Sequence, residues 1–457
     1  MWSVLLIAGQ VLAGGCCGSP VTLSDQLWAQ TNPDSARQIL PPARPPIGEW
    51  RNNFNPDGTP KPLRDPADTT LWPNTTSRAN SDIWIARNHD RIRQMRPRIL
   101  VINFANRATD EQVERIAWNK IAALNESSRY HGFANPEAPM FLEFGVWRVV
   151  NLGEPDGPAD LNSTKAPVKP GVREPHVNCD YGAFFSDAFA RHIGVRDPRD
   201  RNRYLNLVDL VDMGYVHEVW FTAEADGVFR CLEVVELKPQ YDENFEKVPG
   251  KYVQSGNGGD PDQPWTGRSV RLNMMNIDRG IGCSMENLGH GLEGMAHGGA
   301  IPYFRHYFYE FAGFDLDTRF KLPWNSFYPL WGENRGISYP NPNTAVVRDG
   351  DRTWRLENYV AFGGNVHFPP NARGHYDQSN MEPVMSTIKD WRIGSGPSGR
   401  DIARPWTAAE LERYARLAPD CMGKWMVYWR QAMPGYRNRS KDSEGKPMKN
   451  WWPFLFY

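Results

Sequence analysis

Residues 284–299 read SMENLGHGLEGMAHGG, and four side chains in this run can bind a metal or move a proton: Glu286, His290, Glu293 and His297. On an α-helix their spacings of 4, 3 and 4 residues confine them to a sector roughly 60° wide. Imidazole nitrogen and carboxylate oxygen are the usual donors to catalytic zinc, and one helix turn spaces two of them suitably. The same spacing also fits the wet face of an ordinary amphipathic helix, because Met285, Leu288, Leu292 and Met295 fall on the opposite side. Two features favour a site. The row carries no Lys or Arg to balance its acids, and Gly289, Gly291 and Gly294 each weaken the helix by ~1 kcal/mol relative to Ala. Glycines kept at that cost point to something packed close against the backbone.

A further donor has to come from elsewhere in the chain. The segment GNVHFPPNARGHYDQSN supplies His367, His375 and Asp377 in a loop stiffened by Pro and Gly. His367 is taken as the remote ligand, against the plainer reading of a hydrogen-bonded loop residue. Glu218 interrupts the apolar run YVHEVWFTA. A charge inside a buried strand must be paired, neutralised or placed at a strand end, where α/β sheets hold ligands. Glu218 is therefore either a general base or half of an ion pair with an arginine, while His217 turns to the other face.

The elements that must position these residues follow from periodicity. RILVINF reads as a strand, and Val113, Ile116, Ala117, Ile121 and Leu124 continue it at helical spacing. PMFLEFGVWRVVNL reads as one long strand or a bent pair, YGAFFSDAFARHIG and YLNLVDLVDMG as helices, and YVHEVWFTA, RCLEVVELKP and SVRLNMMNI as strands. Alternating strands and helices predict an α/β class, a mixed sheet with flanking helices in a single body over residues 98–457. Past residue 300, PYFRHYFYEFAGF and KWMVYWRQAMPGY have helical character, separated by long aromatic-rich loops with Gly, Pro and Asn punctuation. Residues 20–97 are rich in Pro, Asn, Asp and Arg and read as an irregular arm wrapping the body, anchored by Trp50, Phe54, Trp72 and Trp84.

With 52 Lys and Arg against 53 Asp and Glu, the chain has no overall field to attract nucleic acid or an anionic membrane. The opening MWSVLLIAGQVLAGGCCGSP predicts a signal peptide over residues 1–19 and a secreted protein, with a lipid anchor at Cys16 as the alternative. No later run approaches the ~20 apolar residues of a membrane span. Beyond the leader, Cys179, Cys231, Cys283 and Cys421 permit two disulfides in any of three pairings. Asn74, Asn125, Asn162 and Asn438 stand in glycosylation sequons.

RILVINF, VHEVWFTA, NIDRGIGCSMENLGHGLEG, GNVHFPPNARGHYDQSN with STIKDW, and CMGKWMVYWRQAMP occur in this order over roughly residues 98–434. In order and spacing they resemble a family of secreted, mostly bacterial, metallopeptidase-like proteins whose function is uncharacterised. The resemblance places His290 and Glu293 on the family's helix motif and His367, Tyr376 and Asp377 on its loop motif. Glu286 stands where that family commonly has His, and Cys283 where it often has Glu. Exchanging imidazole for carboxylate changes site charge and metal preference.

Together these readings predict an exported, metal-assisted hydrolase of the peptidase or esterase class. His290, Glu286 and His367 would hold a divalent metal, zinc by donor type, and Glu293 or Glu218 would activate water. The substrate class stays open among peptide, ester and glycan. The competing reading is a non-catalytic extracellular protein, either a structural or assembly subunit that includes homo-oligomers, or a glycan-binding module using its 18 Trp and 17 Tyr. Paired carboxylates Glu218 and Glu293 acting as a metal-free glycosidase would need a separation of ~5 Å or ~6.5–9.5 Å.

Overall fold

Successive residues of the run RILVIN enter different cores. Ile99 and Val101 join one apolar cluster and Leu100 and Ile102 another, as the period of two along a strand requires. In the computed structural model this run is strand β1 (Arg98–Asn103), the second strand of a six-stranded sheet. The structure describes residues 38–40, 42, 67–77, 82–157, 162–172, 177–224, 229–257, 262–394 and 402–457.

The other strands are β2 (Gly145–Asn151), β3 (Glu218–Ala223), β4 (Val234–Tyr241), β5 (Lys247–Gly256) and β6 (Arg271–Asn276). Their order is β2-β1-β3-β6-β4-β5. Strands β2, β1, β3 and β6 run parallel, whereas β4 is antiparallel to both β6 and β5. The sheet is thus mixed, with helices on both faces, and the class is α/β.

Helices α1 (Asp82–Asn88), α2 (Asp110–Ser127), α3 (Asp187–Ile193), α4 (Leu207–Asp212), α5 (Ile281–Gly298), α6 (Pro302–Ala312), α7 (Leu316–Phe320) and α8 (Gly423–Ala432) complete the main frame. On one face, Val113 and Ile121 of α2, Leu292 of α5, Phe304 of α6 and Trp429 of α8 share a core with Trp220. On the other, Phe189 of α3 and Leu210 of α4 pack with Val219, Phe221 and Leu272. A capping box starts α2, with the Thr109 hydroxyl accepting from the Gln112 N–H while the Gln112 side chain accepts from the Thr109 N–H.

Two features departed from the sequence expectation. The punctuated stretch after residue 330 contains a three-stranded antiparallel sheet of β7 (Arg335–Asn341), β8 (Thr344–Asp349) and β9 (Arg352–Leu356). Few apolar residues, among them Ile337, Tyr339, Ala345 and Val347, are buried there, so the apolar signal is thin. Within the described part of the expected irregular arm, α1 forms and Leu71–Trp72 pairs in parallel with Gln94–Met95. Trp72 is fully buried and Trp84 packs against the core, while Trp50, Phe54, Cys16 and the leader lie outside the described residues. Among the described residues no helix is long and apolar enough to cross a membrane.

Helix α5 is buried on nearly every side, and Gly289 and Gly294 are the reason it fits, whereas a Cβ at Gly291 would have room, its nearest neighbours lying 3.9 Å away. A Cβ at Gly294 would sit 2.4 Å from the backbone nitrogen of Gly256 at the end of β5. At Gly289 it would lie 2.8 Å from Val366 Cγ2 and 3.1 Å from the Met426 sulfur. Backbone cannot yield as a flexible side chain does, so Gly294→Ala is expected to destabilise the fold by about 1–3 kcal/mol. A Gly294→Ala protein melting at the wild-type temperature would show that β5 moves freely away from the helix.

Candidate metal centre

The amino end of α5 is fixed from a distance. The Asp420 carboxylate accepts from the Ile281 N–H at 3.1 Å and from the Gly282 N–H at 2.6 Å, satisfying donors that a helix start leaves open. This cap lays Cys421, the next residue, over the first turn of α5, where its thiol donates to Glu286 Oε2 at 3.3 Å. One turn along the helix is His290, and one further turn brings Glu293.

The loop carrying His367 is held from two sides. Trp425 Nε1 donates to the Asn365 carbonyl and Trp429 Nε1 to the Gly364 carbonyl, each at 2.8 Å. On the other side, the Val366 N–H donates to Glu293 Oε1 at 3.0 Å. The loop therefore delivers the His367 ring to the helix row: His367 Nε2 lies 3.1 Å from Glu286 Oε1 and the His290 and His367 ring centroids are 5.0 Å apart. Glu286, His290 and His367 offer one ligand atom each, all within 4.8 Å of one another, a group that can hold a metal ion.

Hydrogen-bond partners fix which ring nitrogens carry protons. A backbone carbonyl only accepts, so His375 Nε2, 2.9 Å from the Tyr328 carbonyl, must donate. Burial, with His367 beside it, pushes the His375 pKa down to about 4, so the ring is neutral and its Nδ1 is an acceptor. His367 Nδ1, 3.1 Å away, then donates to it. His367 Nε2 then faces the Glu286 carboxylate at 3.1 Å. Likewise His290 Nδ1 donates to Glu293 Oε2 at 3.0 Å, and its Nε2 faces Glu286 and Glu233, both at 3.9 Å. Acceptors facing acceptors need a cation between them, either a proton or a metal.

Tetrahedral zinc with bonds of about 2.0–2.1 Å sets neighbouring N and O donors roughly 3.3 Å apart. The observed 3.1 and 3.9 Å separations bracket that value. An imidazole whose far nitrogen donates to a carboxylate is also the usual arrangement around a bound metal.

Charge follows the same logic. Burial opposes a charge on His290, yet Glu293, Glu233 and Glu286 outweigh it and raise its pKa to about 9. Burial likewise works against ionised Glu286 and Glu293, but the histidines beside them hold both carboxyls below the usual range. Burial and the neighbouring Glu293 push the Tyr328 phenol far up, keeping it a donor to both Glu293 oxygens at 2.8 and 3.0 Å.

Other residues singled out in the sequence lie elsewhere. Glu218 is the first residue of β3, at the amino end of the strand, where its carboxylate takes Arg271 Nη1 at 2.8 Å and Trp220 Nε1 at 2.9 Å. Of its two readings, the structure displays the ion pair, and Arg271 extends it to Glu236 at 3.2 Å. His217 Nδ1 accepts from the Arg98 N–H. His297 leaves the row and bonds to the Tyr309 hydroxyl at 2.8 Å. Asp377 is engaged by Arg373 at 2.7 Å. Glu293, expected as a base, has its carboxylate occupied by Tyr328, Val366 and His290.

Sequence reasoning missed Glu233 and Cys421. Glu233 immediately precedes β4, inside the run RCLEVVELKP where it reads as an ordinary polar strand residue, and its side chain, 32 % exposed, accepts from Asn257 Nδ2 at 2.8 Å. A surface groove of about 300 Å³ reaches His290 past Asn257, Gly294 and His297. A larger one of about 420 Å³ follows α6, but there Glu310 is tied to Arg392 and Asp315 to Arg319. None of the four described cysteines is in a disulfide, although Cys179 meets Cys231 and Cys283 meets Cys421 through thiol hydrogen bonds.

No family model, curated protein or solved structure matches the chain. The resemblance to the metallopeptidase-like family therefore rests on the quoted motifs alone.

Two predictions follow from the charges. A folded-state His290 pKa near 9, above the ordinary 6.5, stabilises the metal-free protein fully below pH ~6.5 and is lost as pH rises to about 9. Metal must displace that proton, so zinc affinity rises over the same window. Thermal melts with and without zinc should diverge between pH 6.5 and 9; parallel curves would mean that zinc does not take His290. Separately, Glu218→Gln should cost about 3 kcal/mol by breaking a buried pair, while zinc affinity, measured calorimetrically, stays within twofold.

Proposed function

We propose that this protein is a metal-assisted hydrolase whose cation, zinc by donor chemistry, is held by Glu286, His290 and His367. The observation that carries this reading is the meeting of one ligand atom each from Glu286, His290 and His367, all within 4.8 Å of one another, beside a groove that reaches His290. Such a cation acts as a Lewis acid and brings the pKa of a bound water to about 7. The chain's own residues do the rest. Glu293 fixes the His290 ring through Nδ1 and His375 fixes the His367 ring in the same way. Glu233, bonded to Asn257 of the groove wall and 3.9 Å from His290 Nε2, is the partly exposed carboxylate of the cluster and would accept a proton from water. Carbonyl substrates such as peptides and esters are the natural class, because attack by water on a carbonyl is what a Lewis acid and an adjacent base assist.

Metal analysis and a hydrolase screen on the purified protein test this. Wild type should carry stoichiometric zinc and cleave a peptide or ester substrate. His290→Ala and His367→Ala should each lose one equivalent of zinc relative to wild type, whereas His297→Ala should keep it. Glu233→Gln should keep the metal and lose activity by ~10²-fold or more, as expected for removal of a general base. A full wild-type complement of zinc in both His290→Ala and His367→Ala would end the proposal.

A further inference from the structure

The side chain that completes the histidine cluster also belongs to a second set of donors. Glu286 turns Oε1 towards His367 and His290, and Oε2 towards Cys421. Cys283, one turn before Glu286 on α5, stands in hydrogen-bond contact with the Cys421 thiol. Cys283, Glu286 and Cys421 each offer a ligand atom, and the three lie within 4.8 Å of one another. These donors and the histidine set form two groups that share only Glu286.

We propose that Cys283, Cys421 and Glu286 Oε2 form a second, thiolate-lined cation site, bridged to the histidine site through the Glu286 carboxylate. This goes beyond the hydrolase reading and does not depend on it, since the thiolate site can fill alone. The ligand class follows from donor softness: two sulfurs and one oxygen select zinc or a similar thiophilic divalent ion over magnesium or calcium. With metal–sulfur bonds of about 2.3 Å and metal–oxygen bonds of about 2.0–2.2 Å, tetrahedral S and O donors stand roughly 3.5 Å apart. The Cys421 sulfur lies 3.3 Å from Glu286 Oε2. On binding, each thiol releases its proton to solvent and no electron is transferred.

The position of Cys421 is built rather than incidental. Its backbone takes φ of 46°, a left-handed value that non-glycine residues seldom adopt. The Asp420 cap on one side and the Gln378 side chain, which donates to the Cys421 carbonyl, hold that conformation. Gly282 lets this turn approach, since a Cβ there would lie 1.8 Å from the Asp420 carbonyl oxygen. An adjoining pair of cations about 3.5–4 Å apart, bridged by a carboxylate, is a known arrangement for hydrolytic chemistry.

Cobalt(II) titration of metal-stripped full-length protein, kept reduced with a non-thiol reductant, tests this. Wild type should bind two equivalents and develop a sulfur-to-metal charge-transfer band in the near ultraviolet. The Cys283→Ser/Cys421→Ser double variant should bind one equivalent without the band, and His290→Ala one equivalent with it. One equivalent in wild type with no band overturns the thiolate site and leaves the hydrolase reading standing. One equivalent whose band disappears in both variants overturns the two-site arrangement in favour of one mixed centre. No bound cobalt overturns both readings. Should the double variant fail to fold, alkylation of Cys421 in wild type decides: cobalt should slow it roughly tenfold or more, because a ligated thiolate is withdrawn from reaction, and an unchanged rate overturns the proposal.

Discussion

The carboxylate of Glu293 is the point from which the cluster hangs. It is buried, and an ion in that position is tolerated only when its lone pairs are taken up. Tyr328, Val366 and His290 take them, so three segments far apart in the chain meet at one group. The consequences pass outward along the backbone. Val366 precedes His367, and the Tyr328 carbonyl fixes His375, which in turn fixes His367. Both imidazoles of the group thus owe their orientation to the Glu293 carboxylate, His290 directly and His367 through Val366 and Tyr328.

Such an arrangement needs a helix that other elements can approach closely. The three interior glycines of α5, Gly289, Gly291 and Gly294, cost about 3 kcal/mol in helix propensity by summing the usual increments. In return β5 reaches Gly294 and the Val366 loop reaches Gly289 with no side chain between. The His and Glu row is therefore an internal seam between α5, the 366 loop and the segment before β4. An ordinary wet face would leave its carboxylates in solvent, whereas the Glu286 and Glu293 side chains are only 5 % and 6 % exposed.

Much of this was legible in the sequence because the relevant signals are periodic. The strands around RILVIN, HEVWFTA and RLNMMN are buried on both faces and stand out as apolar runs, and α2, α5, α6 and α8 carry helical spacing. Strands β5, β7 and β9 are largely exposed, so polar residues mask their alternation. The convergence of His290 with His367 was inferred from residue type and from motif order, and the geometry brings the two rings together. Glu233 and Cys421 left no such trace. Each is placed by a contact between remote segments, Asn257 for one and the Asp420 cap for the other, and neither contact has a spacing to detect. The helix motif identified Glu293 by position but could not say that Tyr328 and Val366 would occupy its oxygens.

Position 286 shows why residue type matters more than ligand count. A histidine there would offer one lone pair in one direction, whereas a carboxylate presents two oxygens to two donor sets at once. It also changes the electrostatics. Glu233, Glu286 and Glu293 surround two imidazoles, and at 3.9 Å a unit-charge pair is worth roughly 4 kcal/mol for an effective dielectric near 20. Arg279 also acts on Glu233 and Glu286 and offsets part of that negative charge. A carboxylate at 286, with its two oxygens turned to two donor sets, is thus what makes a pair of hydrogen-bonded histidines into a group that can hold a metal ion.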